Sequence, residues 1–585
     1  MENEDMAGIR RKLINDADNL INHLIEGMVG AHPHLLKIEG DTGRAIVACN
    51  GPREGKVGIV VGGGSGHEPA FAGYVGRGLA DAAPLGNIFA SPSPSQIMDA
   101  GFAADGGAGI LFLYGNYTGD VMNFGMAEEG LADQGIEARS LVVTDDVASA
   151  PIDKAHERRG IAGDFFVFKV AGAAADIGLS MEAVEKAASR ANNATRTMGV
   201  ALSACTMPQT GKSNFSLPVG EMEIGMGIHG EPGIERGLAA SADDVVDKLL
   251  KPILEELNLK QSDKVAVLVN GLGSTSLLEL YILHRRVALV LKELGVHIHM
   301  SWVGEYCTSL DMEGASITLM KLDADLQLWL DHPCETPALK VGGEVVQTSM
   351  PVARRSHNRK ALPQRAYIDR NTLTTSGDIS PDIFRNMMMA SVRVVNEQCS
   401  YLNQLDGVIG DGDHGLTMEI GWKAVQNVLN LQSNSTTITE LCDDIAEVFL
   451  ETVGASVGPL YSSGFKAAGA AVASRLNLDA EALVAWLNGM VCGIQDRGGA
   501  ALGQKTMLDA WIPAVLAAKA ELDAGGSSTT CLSVAAEAAR IGAFGTKEIT
   551  SQMGRSKKLG ARSIGHIDPG AESAALLLKS WADQI

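Results

Sequence analysis

A chain of 585 residues is too long for one hydrophobic core, and its length points to roughly three or four units of about 150 residues. Its 46% hydrophobic and 20% charged residues are the balance of a globular protein in water. The formal net charge of −22 argues against nucleic acid or an anionic membrane as partner. It leaves room for nucleotide phosphates, provided a divalent cation or backbone donors offset the repulsion.

The chain opens with "MENEDMAGIRRKLINDADNL", which is charged and amphipathic and lacks the apolar core of a signal peptide. No apolar run approaches the roughly 18 residues of a membrane span. Cysteines 49, 205, 307, 334, 399, 442, 492 and 531 form no CxxC pair, a reduced pattern without a zinc site or disulfide framework. A cytoplasmic protein is expected.

Over the first 330 or so residues strand-like and helix-like segments alternate. "KVGIVVGGG" (56–64), "AGILFLY" (108–114), "SLVVTDDV" (140–147) and "KVAVLVNGLG" (264–273) are apolar runs that end in glycine or polar residues. They read as buried parallel strands whose C-terminal loops carry polar groups. Met181–Asn192 and Ser276–Leu294 read as helices between them. An α/β domain of parallel-sheet layers follows, with its chemistry in the loops beyond the strand ends.

From about 336 to 378 periodicity disappears, prolines appear, and basic residues cluster between Arg354 and Arg370. This reads as a linker, or as a strap against an acidic surface. From Ser380 onward apolar residues recur at three- and four-residue spacing, so the last 200 or so residues read as an all-α domain. The expected division is 1–335, linker 336–378, and 379–585.

Three loops of the first domain carry chemistry. "GGGSGHEP" (62–69) follows a strand and reads as opening a helix, with Pro69 in its first turn and Gly64, Ser65 and Gly66 as a hydroxyl or oxyanion cradle beside His67. It is not G-x-S-x-G, so a serine-hydrolase elbow is not supported. "GNYTGD" (115–120) presents Asp120. "GMGIHG" (225–230) follows the strand-like "EMEI" and matches G-x-G-x-x-G in form. The next helix start is Ser241, about ten residues on, too far for a dinucleotide turn, which leaves His229 as its notable residue. Either histidine alone reads more readily as a structural residue; three such loops at one edge favour a site.

In the helical domain, "LDGVIGDGDHGLTM" places Asp406, Asp411 and Asp413 within eight residues. Crowded carboxylates repel unless a cation sits among them, and hard oxygen ligands suit Mg²⁺ or Ca²⁺; solvated aspartates on a structural turn are the other reading. An EF-hand is excluded, because counting Asp411 as position one puts Trp422 where the twelfth-position glutamate belongs. Glycine-rich turns recur at 453–464, 496–507 and 554–573, each able to connect helices or to offer backbone N–H groups to a nucleotide. No Walker A motif is present: "TMPQTGKS" lacks the first glycine.

"GGGSGHEPAFAGYVG", "FASPS", "NYTGD", "EMEIGMGIHGEPG" and "SITLMKLD" resemble the substrate domain of dihydroxyacetone kinases. "GDGDHGLTM", "GPLY", "QKTMLDAW" and "GARSIGHIDPGAESAALLL" resemble their nucleotide domain. The resemblance covers essentially the whole chain, in the order of the ATP-dependent single-chain members. It implies that His229 captures a ketone carbonyl as a hemiaminal, that Asp120 takes the proton of the attacking hydroxyl with His67 as hydrogen-bonding partner, and that Gly64–Gly66 line the substrate. It implies Mg²⁺ on Asp406, Asp411 and Asp413, and ATP contacts at His414, Gly415, Leu416, Thr417, Ala455, Ser456, Gly498, Met507, Arg555, Asp568, Pro569 and Gly570. An antiparallel helix barrel and a homodimer are also implied. Phe71 and Gly115 depart from the histidine and lysine common in the family, which removes a substrate contact and implies a roomier pocket. A four-carbon ketose such as erythrulose is thereby expected beside dihydroxyacetone. A non-enzymatic ketose sensor and an FAD-cyclising activity are the alternatives.

Overall fold

Strands that are apolar on both faces must be covered twice. The computed structural model, which describes residues 12–17, 19–343, 373–410, 412–431 and 436–585, shows how this is done. The chain divides into two compact units, Met1–Lys360 and Ala361–Ile585, fewer than its length suggests. Most of the expected linker, residues 344–372, lies outside the described residues.

The first unit holds two main sheets. In one, β1 (Leu36–Glu39), β2 (Ala45–Ala48), β3 (Gly58–Val61), β4 (Gly63–Ser65), β5 (Ala82–Ile88), β6 (Ile110–Gly115) and β7 (Ala138–Val143) take the order β1-β2-β5-β3-β6-β7, with β4 beside β5. In the other, β8 (Thr195–Ala201), β9 (Glu221–Ile224), β10 (Glu235–Leu238), β11 (Lys264–Gly271), β12 (His297–Gly304) and β13 (Gly314–Leu322) take the order β10-β9-β8-β13-β11-β12. The expected parallel pairing holds for β5, β3, β6 and β7. It fails for most of the second sheet, where only β11 and β12 run parallel. A strand buried on both faces has the same apolar run whichever way its neighbours point, so the sequence carries no sign of direction.

Helices fill the remaining layers: α1 (Leu20–Ala31), α2 (Pro94–Ala104), α3 (Thr118–Asp133), α4 (Asp164–Asp176), α5 (Met181–Ala194), α6 (Ala242–Leu257), α7 (Leu277–Glu293) and α8 (Ala324–Asp331). Side-chain alternation assigns each to its layer. Ile110 and Phe112 of β6 pack with α2 and α3, while Leu111 and Leu113 join the core around α4 and α5. Val265, Val267 and Val269 of β11 pack with α6 and α7, while Ala266 and Leu268 face that same central core. The layering is therefore α/β/α/β/α. Every residue of α4 is buried, as a helix between two sheets requires. Its charges find partners: Lys169 Nζ donates to the carbonyls of Trp329 (3.1 Å) and His332 (2.7 Å), and Asp176 pairs with Arg53 at 2.5 Å. The helix starts at Ser241 and Ser276 are confirmed by side-chain caps, the latter a full capping box with Glu279.

The second unit holds eight α-helices among the described residues: α9 (Pro381–Ile409), α10 (His414–Leu431), α11 (Ile438–Thr452), α12 (Val457–Ala471), α13 (Ala480–Gly498), α14 (Leu508–Asp523), α15 (Ser528–Gly545) and α16 (Pro569–Ala582). Each packs against the next, and α16 packs back against α9, closing an antiparallel ring. Trp422, Trp486, Trp511 and Trp581 fill its interior, and Trp581 Nε1 donates to Ser391 Oγ at 2.6 Å, tying the last helix to the first. Trp581→Ala is expected to cost the second unit about 3–5 kcal/mol. Urea unfolding of the full chain, followed by helical circular dichroism, checks this; an unchanged transition would contradict the closed packing.

Candidate active site

In the first unit His229 lies in the loop after β9 and is almost fully buried. Glu231, two residues on, accepts from both the His229 backbone N–H (Oε2, 3.0 Å) and Nδ1 (Oε1, 3.0 Å). A carboxylate only accepts, so Nδ1 carries the ring proton and Nε2 keeps its lone pair. Behind Glu231 lies Arg159, with Nη1 at 3.7 Å from Oε2, and Arg159 is itself held by Asp146 at 2.7 Å and by the Gly225 carbonyl at 3.0 Å. Asn214 Nδ2 donates to the His229 carbonyl at 2.9 Å.

This relay explains the glycines of "GMGIHG". A Cβ at Gly227 would stand 2.0 Å from Glu231 Oε2 and 2.4 Å from Arg159 Nη1; at Gly230, where φ is +85°, it would stand 2.6 Å from Asn214 Nδ2. The glycines make room for the groups that grip His229, not for a pyrophosphate. No helix opens here, as the sequence indicated.

His67 faces His229 with its Nε2 3.1 Å from the other Nε2. Its Nδ1 lies 2.8 Å from the Thr308 carbonyl, which can only accept. Both rings are thus protonated at Nδ1, and two lone pairs would meet across the gap unless the pair shares one further proton. Phe89 stacks on His67 at 5.0 Å, and Tyr117 meets His229 edge-on at 4.6 Å, walling the pair from water.

The Gly64–Gly66 cradle does not open a helix. Gly66 turns at φ +99°, and the chain is drawn to the 308–310 loop: Leu310 N–H donates to Gly66 O (2.8 Å), Thr308 N–H to His67 O (3.1 Å) and Thr308 Oγ1 to Glu68 O (2.8 Å). Pro69 is therefore not in a first helical turn, and only the short 3₁₀ turn Ala72–Tyr74 follows. Ser65 Oγ donates to Gly86 O at 2.8 Å, and Gly66 N–H lies 3.1 Å from the Glu68 carboxylate. Asp120 is buried in the first turn of α3, just past β6, where the helix N-terminus favours its charge. Phe71 is core, 6.1 Å from Phe168. Nor does Gly115 border open space: a Cβ there would lie 3.1 Å from both Gly160 O and the Tyr117 ring.

In the second unit the alternating helix directions bring the N-termini of α10, α12, α14 and α16 to one end of the ring. His414–Thr417 open α10, Ala455 and Ser456 precede α12, Met507 precedes α14, and Asp568 with Pro569 and Gly570 opens α16. His414 Nε2 meets Ser573 Oγ at 2.9 Å, and Gly570 borders Met507. Gly498 ends α13 against Leu460. Four helix N-termini bring backbone N–H groups and positive dipole ends together, a setting for phosphate. Asp411 and the side chain of Arg555 lie outside what is described.

Asp406 Oδ2 accepts from the N–H groups of Gly412 (2.9 Å), Asp413 (2.9 Å) and His414 (3.2 Å), which fixes the turn. Burial and the neighbouring Asp406 push the Asp413 carboxyl up to about 7, and burial pushes Asp568 up to about 7. Buried carboxyls beside one another suit a cation between them. Among the described residues no complete three-ligand cluster is gathered.

Lys505, which the sequence reading quoted but assigned no role, is the hub of this end. Its buried ammonium donates to the carbonyls of Thr546 and His566, both at 2.6 Å, while Thr546 Oγ1 accepts from Asp568 N–H at 2.9 Å. The sequence assigned no role to Glu231 or Arg159 either; the His-x-Glu spacing was the available signal for Glu231.

Residues 26–338 match the Dak1 domain and residues 408–583 the DAK2 domain. The chain is 35% identical over 577 residues to an L-erythrulose kinase of Pectobacterium atrosepticum, covering 97% of this chain and 95% of that one. Over 331 residues it is 50% identical to the dihydroxyacetone-binding subunit of a PTS-dependent dihydroxyacetone kinase of Listeria innocua, covering 57% of this chain and 99% of that one. The dihydroxyacetone kinase of C. freundii in complex with AMP-PNP and Mg²⁺ aligns with a TM-score of 0.52 at 29% identity, over 98% of this chain and 99% of that one. An α/β unit with a buried histidine centre, joined to a helical anion-binding ring, is the plan of a kinase acting on a small carbonyl compound. The chain belongs to the dihydroxyacetone kinase family, in the form that carries both domains in one polypeptide.

Nitrogen-15 NMR of the apoprotein is expected to show His229 protonated at Nδ1, and Glu231→Gln to mix the tautomers, because an amide can present its NH₂ to the ring. A wild-type ring protonated at Nε2 alone would contradict the geometry.

Proposed function

We propose that the protein is an ATP-dependent kinase that phosphorylates a terminal hydroxyl of a small ketose, either a four-carbon ketose such as erythrulose or dihydroxyacetone. The observation that carries this reading is the His229 centre, a buried imidazole whose nucleophilic nitrogen is fixed by Glu231. In this proposal residues 1–335 hold the ketose, 379–585 the nucleotide, and 336–378 link them. Erythrulose is supported by the erythrulose kinase relative of nearly full length, and dihydroxyacetone by the Listeria subunit.

Capture starts with attack of His229 Nε2 on the ketone carbon. The N–C bond forms, the C=O π pair moves to oxygen, and that oxygen takes the extra proton shared with His67, giving a neutral hydroxyl. Glu231 then balances the positive charge on the His229 ring. A ketose held this way loses its freedom of orientation before transfer. Asp120 accepts the proton of the terminal hydroxyl as its oxygen attacks the γ-phosphorus, and ADP is the leaving group.

Mg²⁺ bound with ATP supplies charge neutralisation at the phosphates. Asp406, Asp411 and Asp413 would hold it, and the helix N-termini at His414, Val457, Leu508 and Pro569 would receive the nucleotide. We place the enzyme in the cytoplasm as a homodimer. All eight cysteines are free, no described helix is long and apolar enough to cross a membrane, and Leu277, Leu278, Tyr281 and Ile282 form an exposed apolar face on α7 suited to a second copy.

Carbon-13 NMR with ketose labelled at the carbonyl is expected to show a tetrahedral carbon on the wild type and none on His229→Ala, with kcat/KM reduced about a hundredfold or more. Bound ketose that keeps a carbonyl signal on the wild type would sink the covalent reading. Coupled ADP release that depends on added ketose separates the kinase from a ketose sensor and from an FAD-cyclising enzyme.

Asp413→Asn is expected to abolish that ADP release while leaving ketose binding by calorimetry unchanged. Undiminished turnover would make the aspartates structural.

A further inference from the structure

We propose that Lys505 is a positioning residue for the nucleotide, closing the base of the basic turn 550–565 so that the turn is held in place to meet the phosphates. The inference rests on the ATP-dependent kinase reading above and deepens it by naming a residue that acts on nucleotide affinity through its neighbours.

Lys505 carries two features that disfavour the folded state unless something else gains from them. Its backbone sits at φ +61°, in the left-handed region that side chains rarely adopt. Its ammonium has left water for the interior, the residue being 1% exposed. Around Nζ stand the carbonyls of Thr546 and His566, each at 2.6 Å, and of Ile549 at 3.4 Å. Three acceptors take three N–H groups and leave no place for a lone pair, so the group is a cation. Asp568 and Asp509 are the opposite charges that act on it. Strain and a buried charge together, at the end of the ring where the helix N-termini gather, point to a working residue.

The places of those carbonyls in the chain give the role. Thr546 and Ile549 precede the turn and His566 follows it, so one ammonium holds both of its ends. Further bonds run alongside: Gly565 N–H donates to Lys547 O at 2.8 Å, Ser551 N–H to Ser563 Oγ at 2.9 Å, and Gln552 N–H to Gln504 O at 3.1 Å. The turn so closed carries Arg555, Lys557, Lys558 and Arg562, four cations in eight residues of a chain with net charge −22. It packs against α9, the helix that carries Asp406, which puts a basic segment on the phosphate side of the proposed site. Lys505 also stands two residues before Met507, and the Thr546 that it holds accepts the N–H of Asp568, the cap of α16. Three segments that the proposed site gives to the nucleotide, at Met507, Arg555 and Asp568–Gly570, are therefore joined through one ammonium. A turn pinned at both ends has less freedom to lose when it closes on a ligand, and the ligand binds more tightly for it.

Ketose-dependent ADP release by the purified full-length protein would be measured against MgATP, at saturating erythrulose or dihydroxyacetone. Lys505→Met should raise KM for MgATP about tenfold, the scale of one or two side chains left to be ordered on binding. Its kcat should stay within about threefold of the wild type, the pattern of a lost binding contribution and not of lost chemistry. KM for the ketose and the tetrahedral carbon-13 signal at His229 should not move. Lys505→Arg, which keeps a cation with donors for the same carbonyls, should recover most of the MgATP affinity. Lys505→Gln, neutral but with two donors, should fall between the two, and it takes the place of Lys505→Met should that variant not melt cooperatively. An unchanged KM for MgATP in the folded neutral variant overturns the proposal. So does a loss in which the MgATP and ketose constants worsen together, since that is general damage to the fold. A wild type whose ADP release shows no dependence on MgATP overturns the kinase reading itself, so the two failures are told apart.

Discussion

The structure of the first unit turns on one carboxylate. Glu231 binds both the backbone and the ring of His229, and that single group decides which imidazole nitrogen carries the proton. Placing a carboxylate this deep requires a counter-charge, since an unpaired buried charge costs several kcal/mol. Arg159 answers that need, and Asp146 in turn answers Arg159. Three charged side chains in a row need volume, which the glycines of the 225–230 turn provide by having no side chains. The histidine, the relay and the glycines are one device.

The second unit solves a different problem with different means. A nucleotide polyphosphate carries several negative charges, and a protein with net charge −22 must offset them locally. The alternating ring directs four helix N-termini to one end, and in the proposed function their backbone would offset that charge. Lysine is used there for another purpose: Lys505 joins the carbonyls of two loops, and its ammonium faces inward. At the same end burial, with Asp406 as neighbour, raises the Asp413 carboxyl's affinity for protons.

How much of this was legible in the sequence follows from what periodicity and motifs encode. Strands such as Ile110–Gly115 and Lys264–Gly271 and the whole helical unit were legible, because burial on one or both faces writes a pattern into the chain. Strand direction in the second sheet was not, because the pattern is blind to it. The helix expected at Pro69 was wrong for a reason that local sequence does not contain: residues 308–310, far along the chain, take the backbone hydrogen bonds of Gly66 and His67. His67 was legible as a site residue, yet its partner at 3.1 Å is His229, 162 positions away. The volume expected at Gly115 is likewise taken by Gly160 and Tyr117, a contact between segments some 45 residues apart.

The two histidines show why the site needs both sheets. The two rings are fixed in different ways: His67 takes its orientation from Thr308, after β12, while His229 takes its from Glu231 in its own loop after β9. Two tautomers set independently then meet at Nε2, and their meeting is unfavourable unless a proton lies between them. In the proposed reading a carbonyl compound entering that gap would relieve the opposition: it would offer an electrophilic carbon to one lone pair and, once attacked, an oxygen for the proton, and a small ketone would do both with one functional group.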